Sequence, residues 1–107
     1  MPRKTYNKLV RDKIPEIILL RGAKPKTSIL SGTSYRKRLK EKLIEEAKEV
    51  VEEEENVLNE LADVLELVKS IGDEYEIEFS EIETKQLSKN KEKGGFIKKI
   101  LLEWVDE

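Results

Sequence analysis

Leu39, Leu43, Ala47 and Val50 recur at intervals of three and four, the spacing that puts side chains on one face of an α-helix. The stretch predicts a long helix capped by Thr33 or Ser34. A second periodic stretch runs through Val57, Leu61, Val64, Leu67, Val68 and Ile71 and is expected to stop near Gly72. Between them lie Glu52 to Glu55, four consecutive like charges, and then Asn56. Repulsion along a helix face weakens a continuous rod and asparagine readily caps a new one, so the pattern predicts a break and an antiparallel helical hairpin.

The flanks are less regular. Ile14, Ile17 and Ile18 suggest a short helix capped by Asp12, with Pro15 tolerated in the first turn and Gly22 as the stop. Residues 1–11 look irregular, and 23–33, with Pro25, Thr27, Ser28, Ser31 and Gly32, reads as a connecting loop. A last helix is expected from a Ser80 cap through Ile82 and Gln86 to Lys93, ended by Gly94 and Gly95. The tail, with Phe96, Ile97, Ile100, Leu101, Trp104 and Val105, is apolar enough to be expected on the core, and its pattern leaves helix and strand open. The expectation is one all-α domain over residues 1–107, built on the hairpin.

Composition narrows the chemistry sharply. With no Cys and no His among 107 residues, thiolates, disulfides, zinc fingers and imidazole bases are excluded together. Carboxylates, amines, guanidinium groups and hydroxyls remain. The longest purely aliphatic run, Ile17 to Leu20, is far below the roughly 20 residues of a membrane span, and no signal-peptide pattern follows Met1. A cytoplasmic protein without membrane association is therefore expected. The net charge of -2 conceals strong segregation. Residues 1–40 hold 12 basic and 2 acidic side chains (+10), 41–83 hold 3 and 17 (-14), and 84–107 hold 6 and 4 (+2).

The acids of the middle block fall where a hairpin should be apolar. With Leu43 and Val50 at heptad position a, Glu46 occupies d and Glu49 g; with Val57, Val64 and Ile71 at a, Glu60 occupies d and Asp63 g. A reversal centred between Glu54 and Glu55 sets Glu46 level with Asp63 and Glu49 level with Glu60. Two unit charges about 4 Å apart repel by roughly 4 kcal/mol at an effective dielectric of about 20. Four acids in one layer need protons or cations, and Lys48 is the only basic residue between Glu45 and Glu66. Oxygen ligands alone favour a hard ion, Mg²⁺ first and Mn²⁺ as a substitute. A different hairpin register would leave the same acids as a solvated helix face.

Glu45-Glu46-Ala47-Lys48-Glu49 followed by Glu60-Leu61-Ala62-Asp63 resembles the EExxE…ExxD signature of MazG-type nucleotide pyrophosphohydrolases. Tyr6-Asn7-Lys8-Leu9-Val10-Arg11-Asp12-Lys13-Ile14-Pro15 and Lys93-Gly94-Gly95-Phe96 look like the small phosphoribosyl-ATP-pyrophosphohydrolase-like branch, so the likeness spans nearly the whole chain. The resemblance implies a helical MazG-like bundle in which Glu46, Glu49, Glu60 and Asp63 hold Mg²⁺. Glu45 is then a candidate catalytic residue that positions a water or a second metal, with simple solvation as the alternative. Asn7, Lys8, Arg11, Lys89 and Lys93 are candidate substrate ligands, Lys93 standing where the pattern leads one to expect Arg. The implied reaction splits a nucleoside triphosphate between its α and β phosphates, in the service of clearing non-standard nucleotides.

Leu58, Ala62 and Leu65 lie outside the seam of Val57, Leu61, Val64 and Val68, so the second long helix is apolar on more than one face and a homodimer is expected. Two rival readings stand beside the enzyme: a catalytically silent helical assembly module, and a nucleic-acid binder suggested by Arg36-Lys37-Arg38. The acidic centre argues against the second.

Overall fold

Leu39 and Leu67, 2% and 8% exposed, are the buried apolar side chains around which two long antiparallel helices pack. The computed structural model describes residues 2–107 and contains four helices: α1 (Ile14–Leu20), α2 (Gly32–Glu52), α3 (Val57–Glu74) and α4 (Phe79–Lys93). No strand occurs among the described residues. The α2–α3 hairpin is the main packing unit, α4 meets α3 near their junction, and among the described residues no helix is long and apolar enough to cross a membrane.

The reversal falls at Glu53–Asn56, with a physical basis different from the expected asparagine cap. Asn56 precedes α3 but its side chain makes no capping bond. The Glu53 carboxylate instead accepts hydrogen bonds from the backbone N–H groups of Glu55 (3.2 Å) and Asn56 (2.9 Å). One member of the acidic run that breaks the helix thus satisfies the backbone of the break.

Other boundaries are corrected by local hydrogen bonding. α1 is preceded by Lys13, not capped by Asp12, while Pro15 does lie in its first turn and Gly22 follows its end at φ 87°. α2 begins at Gly32, ahead of the expected Thr33 or Ser34 cap; Ser31 is its boundary residue, and the Ser34 hydroxyl donates to the Ser31 carbonyl at 2.9 Å. α4 is opened by a reciprocal Glu78–Glu81 capping box, not by Ser80, with the Glu78 N–H donating to Glu81 at 2.8 Å. Gly72 does not end α3. It is buried inside the helix, where a side chain would come within 3.1 Å of the Ile77 carbonyl and 3.2 Å of the Ile82 side chain, so its smallness lets the α4 segment approach.

The largest correction concerns the tail. Beyond Gly94 the chain is neither helix nor strand, and it does not lie on the core: Phe96 is 97% and Trp104 72% exposed. The backbone turns once, with the Lys99 N–H donating to the Phe96 carbonyl at 3.1 Å. The chain is accordingly open, with a radius of gyration of 18.6 Å and a long dimension of 63 Å. A compact chain of this length has a radius of about 13 Å.

Candidate metal centre

The hairpin turn sets the register that assembles the acidic layer. Glu46 and Glu49 lie in the last turns of α2, Glu60 and Asp63 in the first turns of α3. Carboxylate oxygens of Glu46, Glu60 and Asp63 all lie within 4.8 Å of one another, as do those of Glu45, Glu46 and Glu49. Glu46 belongs to both groups and joins them. The five acids predicted from the sequence therefore meet around one side chain, although nothing in the hydrophobic seam itself requires polar residues there.

Glu46 is the most constrained member, 7% exposed, with Oε2 buried and without a hydrogen-bond partner. Its other oxygen lies 3.6 Å from Lys42 Nζ. The Oε2 atom of Glu60 is also buried without a partner, while Glu60 Oε1 accepts from the Asn59 amide at 3.3 Å. Buried polar atoms are nearly always paired, because an unpaired one forfeits its hydration without replacement. Two such oxygens in one carboxylate cluster mark a position suited to a cation.

Mutual repulsion is visible in the acids' proton affinity. Hydrogen bonding with Glu46 pushes the Glu49 carboxyl up, partly opposed by its bond to Glu60 and reinforced by the charges of Glu46 and Glu45 and by burial. For Glu60 the Asn59 amide favours the ionised form, but bonding to Glu49, burial and the charges of Glu49 and Asp63 outweigh it and raise the carboxyl. Each adjacent pair can share a proton or a cation, and a divalent ion serves several at once.

Positive groups reach this layer from outside the stretch in which Lys48 stands alone. Arg11 Nη2 donates to Asp63 Oδ1 at 2.6 Å, Lys8 Nζ lies 3.7 Å from Glu45 Oε1, and Lys42 Nζ lies 3.7 Å from Glu45 Oε2. Three cations thus face five acids, leaving a formal excess of two negative charges, which one divalent cation would match. Lys42 was legible as the i,i+3 and i,i+4 partner of Glu45 and Glu46. The crossing of Arg11 onto Asp63 was not, since it joins residues 52 positions apart.

Lys8, Leu9, Arg38, Glu41, Lys42 and Glu45 line an adjoining groove of ≈ 230 Å³. Arg38, which in the sequence stands out only as part of the basic run Arg36-Lys37-Arg38, is a basic residue of this groove. Within that run Arg36 pairs with Glu74 at 3.3 Å and Arg38 with Glu41 at 3.5 Å, so two of its three charges are engaged within the chain. Asn7 adopts a left-handed backbone conformation (φ 46°), and its side chain makes no hydrogen bond among the described residues. Lys89 and Lys93, the remaining candidate substrate ligands, are exposed on α4 and form no ion pair with the acidic layer of their own chain.

Among known proteins, the chain matches no family model, no curated protein and no solved structure.

Proposed function

We propose that the chain is a divalent-cation-dependent nucleoside triphosphate pyrophosphohydrolase of the MazG-like kind, acting as a homodimer. The observation that carries this reading is Glu46 Oε2, buried and unpartnered beside the carboxylates of Glu60 and Asp63. Glu46, Glu49, Glu60 and Asp63 would hold Mg²⁺, with Mn²⁺ as a substitute, an all-oxygen set suited to a hard ion. A bound ion there supplies charge neutralisation for a polyphosphate and acidifies a water.

The chain's own residues do the rest. Lys8, Arg38 and Lys42 give the adjoining groove three positive side chains, and Arg11 stands at the opposite acid. Guanidinium and ammonium groups there bind phosphate oxygens and orient the α–β bridge. Glu45, partly exposed between Lys8 and Lys42, would hold an attacking water by accepting its hydrogen bond. Water adds at the α phosphorus and gives its proton to Glu45 or solvent, the bond to the α–β bridging oxygen breaks with its electron pair leaving on pyrophosphate, and nucleoside monophosphate is the other product. The groove is smaller than the roughly 300–1,000 Å³ usual for ligand sites. Its size and the exposed apolar residues of α3 support completion of the site by a second copy.

The test is pyrophosphate release from a panel of nucleoside triphosphates with Mg²⁺ or Mn²⁺. Activity is expected, and Glu49→Gln or Asp63→Asn should abolish it while far-UV circular dichroism stays helical; silence across the panel removes the enzymatic reading.

The contacts of Lys8, Arg11 and Lys42 with the acids favour a second reading, in which the layer is partly neutralised from within, the remaining charge is left to protons, and the protein is a silent assembly module. Metal titration separates the two. A site held at 100 times its dissociation constant adds roughly 2.7 kcal/mol of stability, whereas the silent module gains none.

A further inference from the structure

Residues 94–107 leave α4 at Gly94, whose φ of 83° turns the chain out of the helix, and carry a dense set of large apolar side chains. Phe96, Ile97, Ile100, Leu101 and Trp104 are all more than two-thirds exposed. A solvated tail of this composition is unfavourable, since each such side chain is worth about 1.5–3 kcal/mol when buried. On the hairpin, Leu58, Leu61 and Leu65 form an exposed stripe along α3 at spacings of three and four. Two apolar surfaces of one chain are thus left without partners.

Area and charge say what covers them. The chain exposes 10352 Å², against about 6,200 Å² for a compact monomer of 12.5 kDa. The excess, about 4,200 Å², exceeds the roughly 1,000–2,500 Å² that each partner contributes to a large obligate dimer interface. The arm holds Lys98 and Lys99 among its first apolar side chains and Glu103, Asp106 and Glu107 toward its end, and the block containing most of the hairpin carries 17 acids against 3 bases. A second copy therefore offers an apolar stripe for the anchors and, locally, acids for Lys98 and Lys99.

We propose that residues 94–107 are an exchange arm whose apolar side chains seat on the α3 stripe of a second copy of this chain. Two such arms, exchanged reciprocally, give a closed symmetric dimer. Lys98 and Lys99 accompany the apolar anchors and meet the acidic hairpin of the partner. The inference rests on the self-association proposed above and is independent of the phosphate chemistry.

Trp104 is the chain's only tryptophan, so its emission reports the arm. In the intact protein, emission should be blue-shifted and shielded from acrylamide at concentrations where sedimentation shows a dimer, and should move to the red on dilution to monomer. Leu65→Glu, on the receiving stripe, should release Trp104 to solvent, and Trp104→Ser should raise the dimer dissociation constant on the order of tenfold or more, with helicity unchanged. A dimer whose Trp104 stays red and quenchable overturns the arm while leaving self-association intact. Blue emission that persists where sedimentation shows a monomer places the arm on its own chain and also overturns it. A monomer at all concentrations overturns both the arm and the homodimer.

Discussion

Glu49 is the residue at which the electrostatics of the acidic layer can be tested separately from the proposed catalysis. Its carboxyl is raised by Glu46 and its acidic neighbours, so protonation is easier in the folded chain than in the unfolded one. A raised carboxyl contributes stability below its unfolded pKa and loses it as pH rises through the folded pKa. Glu49→Gln should therefore melt with the wild type near about pH 4 and above it by pH 7, the gap widening between, in thermal scans without divalent ions. Adding Mg²⁺ at pH 7 should raise the wild-type midpoint and leave the variant behind. A Gln variant no more stable than wild type at neutral pH would mean that the acids do not repel one another. In the core, Leu39→Ala removes one of two buried apolar side chains and should cost about 2–5 kcal/mol in denaturant unfolding.

At the scale of elements, the two long helices were legible because their apolar periods are long and their interruption is abrupt. The acidic layer was legible for a related reason: glutamates at the d position of a seam are read from spacing alone, and the reversal at Glu53–Asn56 lies where the register needs it. Caps were less legible. Asn56 and Ser80 have favourable capping chemistry, but Glu53 and the Glu78–Glu81 pair reach the free N–H groups instead, a choice set by side-chain length and turn geometry. α3 ends two residues beyond Gly72, close to the expected stop, but the glycine serves the approach of a neighbour and not the stop itself, and composition does not separate the two roles. Glu53→Ala should accordingly destabilise the hairpin by about 0.5–2 kcal/mol, and Asn56→Ala by less, in paired denaturant titrations. Equal losses would return the capping role to Asn56.

For the whole molecule, neither the position of the tail nor the approach of the opening segment to the acids could be read locally. Both are contacts, or missing contacts, between parts of the chain distant in sequence, and hydrophobic pattern predicts that a tail is buried without saying against what. An open chain with two buried apolar side chains among its described residues has little core of its own. Its melting temperature should therefore rise with protein concentration, since association stabilises the folded state by mass action. A midpoint constant over a hundredfold range of concentration would show that the single chain is sufficient.

Arg11 reaches Asp63 from a stretch outside the helices, across 52 residues, and the pair is partly open to solvent. One wall of the carboxylate layer is consequently held by a salt-sensitive latch and not by a helix. Raising ionic strength shortens the distance over which exposed charges attract. Amide hydrogens around Arg11 should then exchange faster in high salt while those of α2 and α3 remain protected, so that the wall opens without melting the frame to which it is fastened.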